Sequence, residues 1–540
     1  MNTHRCLALL MFLILPAASC FAQLQTVMVE MRDGIKLETD VYLPPGDGPF
    51  PAVLMRSVYG RGAGAQLAQP QNKQGIALVV QDTRGRGGSE GKDMVFADDG
   101  WGENQDGADT VAWIAGQNWS NGKIATAGGS ALGIVQVMMA PATDLVDAQS
   151  IVVASSNFYG QIAYQGGVWR KSLTEGWTAM QKTNEYIVPA WQAHPTYDTF
   201  WQMYNAEPKA PDITAPAVHI GGWWDIFNQG TINNFVTRQH NGGEGARGKQ
   251  KLIMGPWVHG VKRKIGDIEL PENFNFDFGK YERRFFAACL LGKDDGILAE
   301  PAVNYYTLGD VDNPDGPGNE WRTANDWPPF PTVATSFYLR TDGHLATEPA
   351  AADISPLAYT YDPANPCPTH GGQNLLLPAG PFDQREVSGR GDVFKFATEP
   401  LAEPLEITGQ VFAKLYVSTD APDTDFTAKL VDIYPDGREI LMLDGIRRLK
   451  FRNGYEKAEP LPPGEVGEIT IDLWSISLIF NKGHRIGLQI SSSNHPRFEI
   501  NPNSGDDFPT TENLRPANNK IYIDATHPSA LILPVRNQAP

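Results

Sequence analysis

Cysteine is scarce: the 540 residues hold four, and Cys6 and Cys20 fall within the first 22. That leaves Cys289 and Cys367, too few for a cross-linked framework, and no Cys or His spacing matches a zinc site. Cys289 stands in the apolar stretch Phe285-Phe286-Ala287-Ala288-Cys289-Leu290-Leu291, where it reads as a buried small hydrophobe. Whether it pairs with Cys367 in an oxidising compartment is left open. Positive charge is also in deficit. Lys and Arg total 44 against 62 Asp and Glu, a net charge of −18. Such a surface repels phosphate backbones and argues against a nucleic-acid partner. Low-complexity tracts are missing. Past the first 22 residues nothing approaches the ~18 consecutive apolar residues of a membrane span. No metal or cofactor is implied.

The first 22 residues read as a secretory leader. Arg5 supplies the positive start, Leu7 to Leu15 is almost uninterruptedly apolar, and Ala17, Ala18 and Ser19 are small. The run is too short for an anchor. Cleavage after Ala22 is expected, giving a secreted or periplasmic protein. Cys20 offers a weaker lipoprotein-type alternative. The rest is too long for one hydrophobic core, so several domains are expected.

Residues 25–43 alternate apolar and polar around Asp33-Gly34, which predicts a hairpin. Short apolar runs at 52–55, 77–80 and 124–127 predict buried parallel strands, and 106–115 has helical spacing. A helix over 134–140, ended with the help of Pro141, follows the third run. Residues 157–211 are rich in Trp, Tyr and Gln and lack strand alternation, so they read as a helical cap insertion. Strand patterns resume at 217–220 and 252–254. From 329 the character changes to alternating strands punctuated by turns, at 335–339, 405–417, 427–434, 468–473, 485–491 and 520–524. That pattern predicts an antiparallel sandwich of jelly-roll type. The expected layout is a leader at 1–22, an α/β domain at 23–156 and 212–328, a cap at 157–211 and a jelly roll at 329–540, with a linker at 323–331.

Between the strand 124–127 and the helix after it lies Gly128-Gly129-Ser130-Ala131-Leu132-Gly133. Glycines there permit the cramped strand-to-helix turn that lifts a serine above the carboxyl edge of a sheet, the arrangement of an α/β-hydrolase nucleophile. A serine hydroxyl needs a base, an acid to orient that base, and donors for the oxyanion. The fold requires the chain order Ser, acid, His. Asp225 follows the strand 217–220 and His259 follows the strand 252–254, both at carboxyl ends, where α/β enzymes place their sites. The plain alternative is a glycine-rich turn with an incidental serine, beside a solvated aspartate and a surface histidine. The N–H of Ala131 is the expected oxyanion donor. A second should come from the loop Arg56-Ser57-Val58-Tyr59-Gly60, where the Tyr59 hydroxyl could serve, or Tyr59 could be a packed aromatic.

These residues resemble the family that contains cocaine esterase, α-amino acid ester hydrolases, glutaryl-7-aminocephalosporanic acid acylases and X-prolyl dipeptidyl aminopeptidases. Matching stretches are Met31-Arg32-Asp33-Gly34, Gln81-Asp82-Thr83-Arg84-Gly85 with Ser89-Glu90-Gly91, Trp119 to Lys123 and Gly128 to Gly133. Further matches are His194-Pro195 with Asp198 to Trp201, the Asp225 and His259 turns, Asp420 to Phe426 and Asn501-Pro502-Asn503. The resemblance implies a catalytic domain, a helical cap and a C-terminal jelly roll. It implies Ser130 as nucleophile, His259 as base, Asp225 as orienting acid and Tyr59 as hydroxyl oxyanion donor. It also implies that Phe227 packs on the acyl group, with Tyr164 and Trp169 sharing that pocket. Two positions depart from the family pattern. Ala131 stands where a tyrosine is usual, which keeps the backbone donor but alters the space beside the serine. Gly133 stands where ester hydrolases of α-amino acids carry a carboxylate for the substrate ammonium, and an ammonium in a desolvated pocket needs a paired charge.

The sequence thus predicts a secreted, cofactor-independent serine hydrolase acting on small-molecule carboxylic esters, with amides second. The aromatic-rich cap points to an apolar acyl group. An acylase or aminopeptidase of the same fold, an acyltransferase and a non-catalytic binding protein are the alternatives. A homo-oligomer is left open.

Overall fold

The computed structural model describes residues 23–350 and 354–537; the expected leader, with Cys20, lies outside the described residues. Ten strands form the first sheet: β1 Gln23–Glu30, β2 Lys36–Leu43, β3 Phe50–Ser57, β4 Ala77–Asp82, β5 Ser120–Gly129, β6 Ala148–Val152, β7 Ala217–Gly222, β8 Lys251–Gly255, β9 Val303–Thr307 and β10 Glu320–Ala324. Their order is β1-β2-β4-β3-β5-β6-β7-β8-β9-β10. The first hairpin, β2 against β4, and β9 against β10 are antiparallel, and every pairing between β4 and β9 is parallel. This is a mixed α/β sheet whose central strands all point their carboxyl ends the same way. β4 and β8 are buried at every position, as strands covered by helices on both faces must be.

The hairpin turns at Gly34, whose φ is +85°. The helix Asp106–Ala115 stands where its spacing places it. The strand β6 and the final pair β9 and β10 went unrecognised in the sequence. β6 hides because Gln149 and Ser150 interrupt its apolar run, yet both are fully buried. Gln149 is satisfied inside the protein, accepting from Arg238 at 2.7 Å and donating to the Gln136 carbonyl at 3.2 Å. The expected linker start is corrected. Thr323 pairs with Asn304 in the sheet, and Trp327, 7% exposed, packs into the adjoining core.

Between β6 and β7 the chain leaves the sheet for the helices Lys171–Met180, Asn184–Gln192 and Thr199–Gln202. The insertion is not purely helical. Tyr164–Gln165 pairs with Val168–Trp169 in a small antiparallel clip.

The C-terminal region is all-β apart from short helical turns, with sheets of seven and four strands. The long strands Leu405–Thr419 and Gly467–Phe480 pair along their lengths, with a register shift between Gln410 and Phe412. Alternate residues Ile407, Val411, Ala413, Leu415 and Val417 meet Phe426, Ala428 and Leu430 of the other sheet in one core. That core runs on into Tyr305 and Tyr306 of β9 and into Trp223 and Trp224 just past β7, so the two parts share buried apolar surface. Cys289 is half-buried, Cys367 is buried, and both thiols are free.

Candidate active site

Ser130 is the single residue between the end of β5 and the start of the helix Ala131–Met139. Its φ of 56° and ψ of −124° lie where L-residues are rarely found, at a cost on the order of 1–3 kcal/mol. Crowding enforces the glycines around it. A Cβ at Gly128 would stand 2.6 Å from the Leu132 Cβ, and one at Gly133 would stand 2.9 Å from the Ala154 Cβ. The Ser130 N–H donates to the Val152 carbonyl at 2.9 Å, which fixes the turn to the end of β6.

Asp225 follows β7 and His259 follows β8, so neighbouring parallel strands deliver both to the same edge as Ser130. The His259 Nε2 lies 2.9 Å from the Ser130 Oγ, and its Nδ1 lies 2.5 Å from the Asp225 Oδ2. Asp225 is completely buried. Its Oδ1 accepts from the Phe227 N–H at 2.7 Å, while the Ile226 carbonyl of that same peptide accepts from the Arg170 guanidinium at 3.3 Å. The peptide that binds the carboxylate is thereby itself anchored at its other end. Burial disfavours the charged form of His259, but the charge and hydrogen bond of Asp225 outweigh it. The imidazole pKa is raised above its ordinary 6.5.

Ala131 is the first residue of its helix, so its N–H has no intrahelical acceptor. Tyr59 stands on the loop after β3 with 55% of its surface exposed. Its hydroxyl accepts from the Trp177 Nε1 at 3.1 Å.

A narrow, apolar cavity opens at Ser130 and Ala131. Phe227 forms one wall, its ring 5.9 Å from the His259 ring and edge-on to it. Phe96, Leu173, Trp177, Trp191, Ile226 and Leu375 complete most of the rest. Thr174 and Ser130 are the polar side chains on the wall, and Thr174 is already committed to the Arg170 carbonyl. The expectation for Tyr164 and Trp169 is corrected: neither is on the wall. They pack against each other 5.1 Å apart behind it, each no more than 2% exposed. The Tyr164 hydroxyl donates to the Trp191 carbonyl at 3.3 Å, so Tyr164 supports the helix that brings Trp191 to the cavity.

Several matched motif residues hold the fold together. Arg84 pairs with Asp106 at 2.7 Å and with Asp33 at 2.6 Å, pinning the first hairpin to the sheet. Asp198 caps the helix Thr199–Gln202 and binds His194 at 2.6 Å. Arg448 and Asn501 hold the buried Asp425 at 2.9 and 2.7 Å.

Residues 33–190 and 177–261 match the family described as X-Pro dipeptidyl-peptidase (S15 family), and residues 296–532 match the X-Pro dipeptidyl-peptidase C-terminal non-catalytic domain. The chain is also similar to cocaine esterase of Rhodococcus sp. (strain MB1 Bresler), 32% identical over 582 residues that cover 94% of this chain and 98% of that one. The chain belongs to the S15 family of serine hydrolases. An aminopeptidase of a marine-sediment Thaumarchaeota archaeon superposes on this S15 hydrolase with a TM-score of 0.83 at 25% identity, covering 99% of this chain and 100% of that one. An α-amino acid ester hydrolase shares the fold, with a TM-score of 0.80 at 24% identity over 97% of this chain and 98% of the other.

In this S15 hydrolase the wall residues Phe96, Leu173, Trp177, Trp191 and Leu375 escaped sequence reasoning. Leu173 and Trp177 are four apart on one helix and so share a face; that spacing was the available signal. Phe96 left none in an apolar pattern, because it sits in a loop with a φ of 68°. Leu375 comes from the region matched to the non-catalytic domain, and only the docking of that region on the insertion brings it to the cavity.

Proposed function

We propose that the protein is a secreted serine esterase in which Ser130 attacks the ester carbonyl, His259 takes its proton, and Asp225 orients and stabilises the imidazole. The observation that carries this reading is the continuous hydrogen-bonded chain from the Ser130 Oγ through His259 to the buried Asp225, at the mouth of an apolar cavity. The Ala131 N–H and the Tyr59 hydroxyl stabilise the oxyanion. The alcohol leaves with the proton from His259, and water, activated by the same imidazole, releases the acid. The leader at 1–22 supports export. The division into catalytic halves 23–156 and 212–328, cap 157–211 and jelly roll 329–540 belongs to the same proposal.

The cavity wall supports an apolar, uncharged acyl group. It carries no charged side chain, and an ammonium moved there would lose hydration without gaining a partner. A panel of p-nitrophenyl esters and matching anilides tests this. With each buried methylene worth up to about 0.8 kcal/mol, kcat/KM should rise about tenfold from acetyl to butyryl. A phenylacetyl ester should outrun the phenylglycyl ester of the same shape, and esters should outrun anilides. Preference for the phenylglycyl ester or for anilides would move an aminopeptidase or acylase reading to first place.

His259 must be neutral to accept a proton. Because Asp225 raises its pKa, kcat/KM should stay low in acid and climb with a midpoint above 6.5. A midpoint at or below that value, read from kcat/KM between pH 5 and 9, contradicts the assignment.

A further inference from the structure

A phenol with 55% of its surface exposed, followed by Gly60 at a φ of +93°, has little around it to fix where its hydroxyl points. One contact does: the Trp177 Nε1 donates to the Tyr59 oxygen at 3.1 Å. Trp177 is itself well anchored. It stands on the helix Lys171–Met180 of the insertion, its ring stacks on Phe96 at 5.8 Å with 20° between planes, and the adjoining Gly176 abuts Leu376 of the C-terminal region. The same indole forms part of the acyl cavity wall.

We propose that Trp177 is a positioning residue that aims the Tyr59 hydroxyl at the oxyanion, so that the wall of the acyl cavity also sets the strength of the oxyanion hole. The inference rests on the reading of Tyr59 as an oxyanion donor. A phenolic oxygen has one proton and two acceptor sites, whereas an indole has a single N–H and no acceptor. When the indole occupies one acceptor site, the phenolic proton stays free for the substrate oxygen. A donated bond also polarises the O–H and strengthens what it gives in turn. Trp177 thereby joins three parts of the chain, the catalytic loop, the insertion and the C-terminal region, at one hydrogen bond. An acyl group packed on the indole holds it in place, and that interaction is spent on the transition state as an increase in kcat.

The test is a double-mutant cycle on p-nitrophenyl acetate, whose methyl group scarcely enters the cavity. Trp177→Phe keeps an aromatic ring and removes the N–H. Trp177→Leu is run in parallel, with melting temperatures for both, so that a folding defect peculiar to one variant does not decide the result. Loss of one hydrogen bond should lower kcat about fivefold with KM unchanged. Tyr59→Phe alone should lower kcat about 10²–10³-fold, as loss of an oxyanion donor does. In the Tyr59→Phe background the Trp177 substitutions should change kcat by less than about twofold, because the bond they remove is already gone. Wild-type kcat on acetate for the Trp177 variants, or the same fractional loss in both backgrounds, overturns the coupling while leaving the oxyanion assignment standing. Wild-type kcat for Tyr59→Phe overturns the oxyanion assignment and this inference with it.

Discussion

Ser130→Ala is expected to lower kcat on p-nitrophenyl esters roughly 10⁶-fold, the scale found when a nucleophile is deleted from a triad. The substitution removes only the Oγ, which lies 2.9 Å from the His259 Nε2. It leaves the backbone as it was, since alanine at a φ of 56° carries about the same strain as serine. The helix after the turn, the N–H of Ala131 and the apolar cavity all persist. The variant should therefore melt with the wild type and still bind substrate. Residual turnover, if measurable, reports the oxyanion donors and binding alone. The companion measurement is intact mass after incubation with a fluorophosphonate. Wild type should gain one adduct and Ser130→Ala none. Turnover within a hundredfold of wild type, or an adduct on the variant, would place the nucleophile elsewhere. A wild type that neither labels nor turns over any ester would favour a binding protein built on this fold.

Asp225→Asn should lower kcat about 10⁴-fold, as the same change does in an assembled triad, and here the local geometry says why. The Oδ1 of Asp225 accepts from the Phe227 N–H at 2.7 Å, and the Oδ2 faces the His259 Nδ1 at 2.5 Å. An asparagine must keep its oxygen toward the Phe227 donor, so its NH₂ faces the imidazole. The Nδ1 then becomes an acceptor and the proton moves to the Nε2, where it points at Ser130 and blocks it as a base. The change also removes the carboxylate that raises the His259 pKa while the opposing effect of burial remains. Whatever activity survives should have its acid limb at lower pH than the wild type. Activity within tenfold of wild type, or an acid limb that does not move, would show that the carboxylate neither sets the tautomer nor stabilises the imidazolium.

The strands 52–55, 77–80, 217–220 and 252–254 were legible because each is a short, mostly apolar run near turn residues, and each lies within a slightly longer, largely buried strand. β6 was not, because Gln149 and Ser150 break its apolar run, and Gln149 finds its partners Arg238 and Gln136 89 and 13 residues away in the chain. In the C-terminal region the strand Arg485–Ser491 stands where its alternation puts it. Glu439–Arg448 has buried residues at nearly every position, and such a strand lacks the alternation that marks a half-exposed one. Tyr164 and Trp169 had the right composition for a pocket and the wrong place. Residue type does not say whether an aromatic stands at a wall or one layer behind it.

Local sequence by itself determined the turn that strains Ser130, since Gly128 and Gly133 are the residues that its crowding allows. It also determined that Asp225 and His259 would close two strands of one parallel sheet, because strand, turn and chain order are near-neighbour properties. Only the tertiary structure decided that Phe96, Trp177 and Leu375, from the loop after β4, the insertion and the C-terminal region, would meet over the serine. It alone decided that an indole 118 residues away would donate to the Tyr59 hydroxyl. Contacts of that kind depend on how whole segments dock. Docking is set by the summed burial of many apolar side chains, and no short stretch of the chain encodes that sum.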